Sequence, residues 1–104
     1  MIRKRPAEDE KKVIVEFEVP GSVWAERINL VGDFNDWDRE SLPFVHSRDE
    51  NWHVELVLDE GSEYRFRYLV DGDLWGYDWH ADKHLPGPDG ACDSIVVAKV
   101  GPAS

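Results

Sequence analysis

Residues 64–75 read Tyr-Arg-Phe-Arg-Tyr-Leu-Val-Asp-Gly-Asp-Leu-Trp, and residues 31–37 read Val-Gly-Asp-Phe-Asn-Asp-Trp. In the longer stretch Tyr64, Phe66, Tyr68 and Val70 alternate with Arg65, Arg67 and Leu69. That is the period of a strand with one face in a core. Asp71-Gly72 follows, a pair suited to the positive φ of a tight hairpin turn. The shorter stretch likewise passes from strand to turn, and both end on a tryptophan beside polar residues. An indole on a turn is badly placed to fill a core and well placed to offer a flat apolar face to a ligand.

Outward from these blocks the same period recurs. Val13, Val15, Phe17 and Val19 share one face, with Ile14, Glu16 and Glu18 on the other. Ile28 to Val31 forms a second strand, stopped at Gly32-Asp33, and Leu42 to His46 a short third. Trp52, Val54, Leu56 and Leu58 alternate with His53, Glu55 and Val57, and Asp59 to Ser62 makes the next turn. Leu74 to Tyr77 returns from the Asp71-Gly72 turn, and Ser94 to Val100 is the last strand. No stretch keeps a helical period over three turns. About seven short strands with regular turns predict an all-β protein, an antiparallel sandwich; the period alone leaves a barrel open. The segment from Trp79 to Asp93 holds two prolines and two glycines and reads as an ordered surface loop. Residues 1–12 are charged and without period, a flexible tail; residues 13–100 form the single domain; residues 101–104 are a flexible end.

The chain has 104 residues, 22 acidic against 12 basic, for a formal net charge of −10. Such a surface repels phosphate backbones and anionic bilayers, so nucleic acid and membrane are excluded as partners. A neutral ligand suits it. Cys92 stands alone, so no internal disulfide forms, which fits a reducing compartment. The basic start lacks an apolar stretch after it and does not read as a secretory signal. A cytoplasmic protein is expected.

Arg65 and Arg67 point away from the core face, while Trp37 and Trp75 end their strands. If those strands are neighbours, two indoles and a guanidinium share one patch. Sugars present an apolar CH face and a rim of hydroxyls; indoles cover the first and arginine bonds the second. Trp52 is in phase with Val54 and Leu56 and reads as core. Trp24 and Trp79 read as structural, with Trp79 the better candidate for a rim contact, alongside Arg65. Arg67 has a second reading as the partner of a cross-strand acid such as Glu55. His80, Asp82 and His84 have metal-ligand types at close spacing, but no helix is indicated to converge them, so neither metal nor cofactor is expected. Paired carboxylates are expected by chance among 22 acids, so catalysis is not expected.

The strings Gly-Asp-Phe-Asn-Asp-Trp at 32–37 and Tyr-Leu-Val-Asp-Gly at 68–72, with Asn51 to Leu58, Trp75 to Asp82 and Asp93 to Val97, resemble carbohydrate-binding module family 48 over about Val13 to Val100. These are the early-set domains of isoamylases and of glycogen branching and debranching enzymes, and they include the glycogen-binding domain of a kinase β subunit. The resemblance implies an immunoglobulin-like (early-set) sandwich and non-catalytic binding of α-glucans such as glycogen, starch and maltooligosaccharides. It places the family's two glucan-contacting tryptophans at Trp37 and Trp75, its lysine at Arg67, and the asparagine before its last strand at Asp93. Arg67 changes the donor geometry, and Asp93 keeps acceptors while losing two donors. The loop before it offers Asp89 and Ala91 in place of the kinase domain's leucine and threonine. The alternative function is a docking or regulatory domain for a carbohydrate-active enzyme or kinase complex, with the tryptophan patch facing a protein.

Overall fold

A computed structural model describes residues 2–23, 25–76, 78, 81–90 and 92–100. The expectations for Trp24, Trp79, His80 and the C-terminal residues 101–104 lie outside the described residues. Among the described residues nine strands form two antiparallel sheets, and a 3-10 turn lies at Asp33–Asn35. They are β1 (Ile2–Pro6), β2 (Lys12–Val19), β3 (Ile28–Gly32), β4 (Val45–His46), β5 (Trp52–Asp59), β6 (Glu63–Val70), β7 (Leu74–Gly76), β8 (Lys83–Pro86) and β9 (Cys92–Val97). The first sheet runs β1-β2-β5-β4. The second runs β3-β6-β9-β8, with β7 also paired to β6. The all-β sandwich read from the sequence is the fold.

The alternation places the core. Val13, Val15 and Phe17 of the first sheet meet Leu30, Phe66 and Val96 of the second, all essentially buried. Phe17 and Phe66 meet edge to face with centroids 5.1 Å apart. Phe34, from the 3-10 turn, adds a third ring 5.9 Å from Phe17. Trp52 is buried among them, as its phase with Val54 requires.

Two strands exceed the expected seven. Ile2–Pro6 pairs with Val13 to Phe17 where a flexible tail over 1–12 is predicted. An edge strand needs only the backbone ladder on one side, so it shows no apolar period. Its charges are matched instead: Arg3 bonds Glu16 at 3.0 Å, Arg5 bonds Glu55 at 2.7 Å, and Lys4 reaches Asp82, just before β8, at 2.7 Å. Lys83–Pro86 pairs with Cys92 to Ile95, so the predicted Trp79–Asp93 loop is interrupted by an edge strand.

Buried polar groups tie the second sheet together. Tyr68 donates its hydroxyl to Asp78 at 2.5 Å, and the Asp78 N–H donates to Ser94 Oγ at 2.8 Å. Burial, with the neighbouring Asp78 charge, pushes the Tyr68 phenol well above its ordinary value of 10.0. Its folded-state value therefore exceeds the unfolded one. The stability this contributes is complete below pH 10.0 and is lost as pH rises through the folded-state value. Tyr68→Phe is expected to cost about 1–2 kcal/mol at neutral pH. It should also flatten the decline in stability above pH 10.0, read by urea unfolding across that range.

Candidate functional site

The Gly-Asp-Phe-Asn-Asp-Trp string builds a rigid corner. Gly32 N–H donates to Asn35 Oδ1 at 3.0 Å, and Asn35 Nδ2 donates to the carbonyls of Leu30 and Asp38 and to Ser41 Oγ. Gly32 has no room for a side chain: a Cβ there would lie 2.4 Å from the Arg65 carbonyl oxygen. The chain then turns through Asp36 and Trp37, both left-handed, at φ 54° and 59°. A bulky residue in that region is strained. Two contacts hold it there. Trp37 N–H donates to the Gly32 carbonyl at 2.9 Å, and Trp37 Nε1 donates to Asp33 Oδ1 at 2.9 Å. Asp33 Oδ2 accepts from the Arg65 backbone N–H at 2.8 Å, so the corner is stitched to β6.

The other half of the site lies where one edge of β6 forks. β9 pairs with Glu63 to Phe66, and β7 pairs with Tyr68 to Val70. Arg67 sits at the fork, with Asp93 from β9 on one side and Trp75 from β7 on the other. Arg67 Nε donates to Asp93 Oδ1 at 2.5 Å. Its Nη1 and Nη2 donate side by side to Asp89 at 2.8 Å each. The guanidinium carbon lies 6.0 Å from the Trp75 ring centroid. Arg67 is only 6% exposed and Asp93 2%. The Asp89 hydrogen bonds hold the Arg67 guanidinium above its ordinary value, burial opposes them, and Asp93 adds to them.

Trp37, Arg65, Arg67, Pro88, Asp89 and Asp93 line one shallow hollow together with Asp33. Trp75 borders it through Arg67. The two indoles are 37% and 39% exposed, among the few large apolar side chains left to solvent. The sequence-derived residues Trp37, Arg67, Trp75, Asp93 and Arg65 thus come together on one outer face. Arg65 joins by donating to Asp93 Oδ2 at 3.4 Å. The proposed Arg67–Glu55 pair is corrected: Glu55 belongs to the other sheet and bonds Arg5. Asp33, Asp89 and Arg39 were not assigned from the sequence. Asp33 stands four residues before Trp37 on the same turn, the one local signal available. Asp89 was noted only as a departure in the loop before Asp93, and Arg39 carries no signal, because each reaches the site from a loop.

Among the described residues one group of metal-ligand types converges, Glu18, Asp49 and His53, on the outer face of the first sheet and away from the hollow. Arg3 bridges Glu16 and Glu18 there at 3.0 and 3.3 Å, and His53 Nε2 bonds Asp49 at 3.0 Å. The group is part of a charge network. His84 Nε2 is bonded to the Asp78 carbonyl at 2.6 Å. Asp49 is held below the usual carboxylate range, chiefly by the Asn51 backbone N–H and then by His53.

The family model of carbohydrate-binding module 48 (isoamylase N-terminal domain) matches residues 9–83. A stretch of 51 residues is 41% identical to the 1,4-alpha-glucan branching enzyme GlgB of Aquifex aeolicus (strain VF5), covering 43% of this chain and 8% of that enzyme.

Proposed function

The chain belongs to the carbohydrate-binding module 48 family, and from that premise we propose that it binds α-glucan chains without cleaving them, on the face formed by Trp37, Trp75 and Arg67. The similar enzyme is named for its action on 1,4-α-glucan; the same polymer is proposed as the ligand here. The observation that carries the reading is Trp37, a bulky residue kept left-handed and half in water by bonds to Gly32 and Asp33. Such strain is retained where the exposed ring has a use.

Each residue has a distinct task. The Trp37 and Trp75 rings take the CH faces of successive glucose units. Asp89 and Arg65, at the rim of the hollow, exchange hydrogen bonds with hydroxyls. A guanidinium has five N–H donors, and three of those on Arg67 are used by Asp93 and Asp89. Arg67 therefore acts chiefly as a positioning residue, holding the 87–90 turn and Trp75 in place. The hollow beside these carboxylates is shallow and open, which suits binding rather than hydrolysis.

Few exposed stacking contacts correspond to a dissociation constant of roughly micromolar to millimolar, about −8 to −4 kcal/mol. A titration with maltoheptaose, followed by tryptophan fluorescence, is expected to give a saturable change that salt hardly alters, because the ligand is neutral. A flat response, with no retention on a glycogen gel, would overturn the proposal.

A further inference from the structure

A second hollow adjoins Trp75, lined by Arg27, Asn29, Arg39, Leu69 and Gly72 with Glu40 also on its wall. Arg3, Lys4, Arg5, Lys12, Arg65, Arg67 and Lys83 all pair with carboxylates. Arg27 and Arg39, like Lys11, Arg48 and Lys99, make no such pair among the described residues, and these two share one hollow. Asn29 sits opposite Leu69 on the outer face of β3 and is 8% exposed. Its carboxamide makes no hydrogen bond among the described residues, and it lines the hollow.

Arg27 is also placed before any ligand arrives. Asp71 Oδ1 accepts from the Glu26 and Arg27 N–H groups at 2.7 and 3.0 Å, and the Asp71 N–H donates to the Arg27 carbonyl at 2.9 Å. A Cβ on Gly72 would lie 2.7 Å from Arg27 Nη2, so the guanidinium lies against the bare backbone of that turn. Arg39 stands over the Trp75 ring, 5.3 Å from its centroid. The Asp71 carboxylate keeps its charge beside Arg27, while the lining of the hollow itself carries two guanidiniums and the carboxylate of Glu40.

We infer that this hollow binds a phosphate monoester carried on a sugar, with Arg27 and Arg39 as the anion's donors, Asn29 as a further donor, and Trp75 stacking the sugar ring beside it. Planar guanidiniums match phosphate oxygens in pairs, and such bonds are the stronger for being charged on both sides. A neutral glucose unit would leave both cations unmatched. The inference rests on the proposed sugar platform and extends it: the module would discriminate phosphorylated from unmodified α-glucan.

The test compares maltoheptaose, a phosphorylated maltodextrin, glucose 6-phosphate and inorganic phosphate by calorimetry at low and high salt, on the full chain and on Arg27→Gln and Arg27→Lys. The phosphorylated dextrin is expected to bind about tenfold tighter than maltoheptaose at low salt, the worth of one charge-assisted hydrogen bond. The advantage should shrink toward nothing at about 0.5 M salt. Arg27→Gln should abolish it and Arg27→Lys retain part of it, while maltoheptaose affinity stays unchanged in both and reports an intact fold. Equal affinity for the two dextrins, or an advantage that survives Arg27→Gln, would overturn the inference. Inorganic phosphate binding as tightly as the phosphorylated dextrin would overturn the sugar-borne source. Arg27-dependent binding of glucose 6-phosphate would support the inference even if maltoheptaose failed to bind, so the two readings fail separately.

Discussion

Replacing Trp75 with alanine is expected to remove most α-glucan binding and leave the fold standing. The ring lies on the short strand Leu74–Gly76, opposite Leu69 of β6, and is 39% exposed; the guanidiniums of Arg39 and Arg67 lie against it. Truncating an aromatic anchor at a binding site costs about 2 kcal/mol or more, roughly 30-fold in affinity. With a starting constant in the micromolar to millimolar range, that loss carries binding to the edge of detection. Trp37→Ala should do the same by a second route. It removes the other ring and also the Nε1–Asp33 bond that holds the left-handed corner. Calorimetry with maltoheptaose reads both variants without relying on the fluorescence of the ring that was removed. Thermal unfolding within a few degrees of the parent would show that the fold survives. Unchanged affinity in both variants would refute the platform.

The largest effect on stability is expected from Asp93→Asn. Asp93 is buried beside an equally buried cation, Arg67, with Nε at 2.5 Å. Asparagine fits the space but brings no charge, and its NH2 group points a donor at donors. Removing one partner of a buried ion pair strands the other. Arg67 would keep only Asp89, whose side chain is 57% exposed on the 87–90 turn. A cost of about 3 kcal/mol is expected, toward the lower end for such pairs because Asp89 remains. Urea unfolding measures it. The double variant Asp93→Asn with Arg67→Met should recover much of the loss, since a buried pair is replaced by packing rather than broken. A loss under about 0.5 kcal/mol in the single variant would show that the pair contributes little.

That pair also explains two departures from the family pattern. Arginine at 67 and aspartate at 93 were each read from the sequence as a separate change at a sugar-contacting position. In the structure they are one compensated change: the second charge answers the first across the fork of β6. Read singly, Asp93 looks like a weakened sugar ligand. Read as a pair, it is the anchor of the cation that sits by Trp75.

The sequence by itself determined the antiparallel β class, the strand faces, the turn at Asp71-Gly72 and the corner ending in Trp37. All of these are local. Period-two alternation sorts side chains between core and surface within a strand, and the glycine and asparagine of the corner act on neighbours within a few residues. Trp37 and Trp75 were legible as tryptophans beside turns, and Arg67 as the outward residue of a strand whose core face is unambiguous. The tertiary structure alone decided that β6 forks between β9 and β7, that Arg67 spends its donors on Asp89 and Asp93, that Ile2–Pro6 closes the first sheet's edge, and that Arg27 and Arg39 share a hollow beside Trp75. Those facts depend on which distant strands pair and in what register. A period of two repeats identically along every strand and carries no record of its partner.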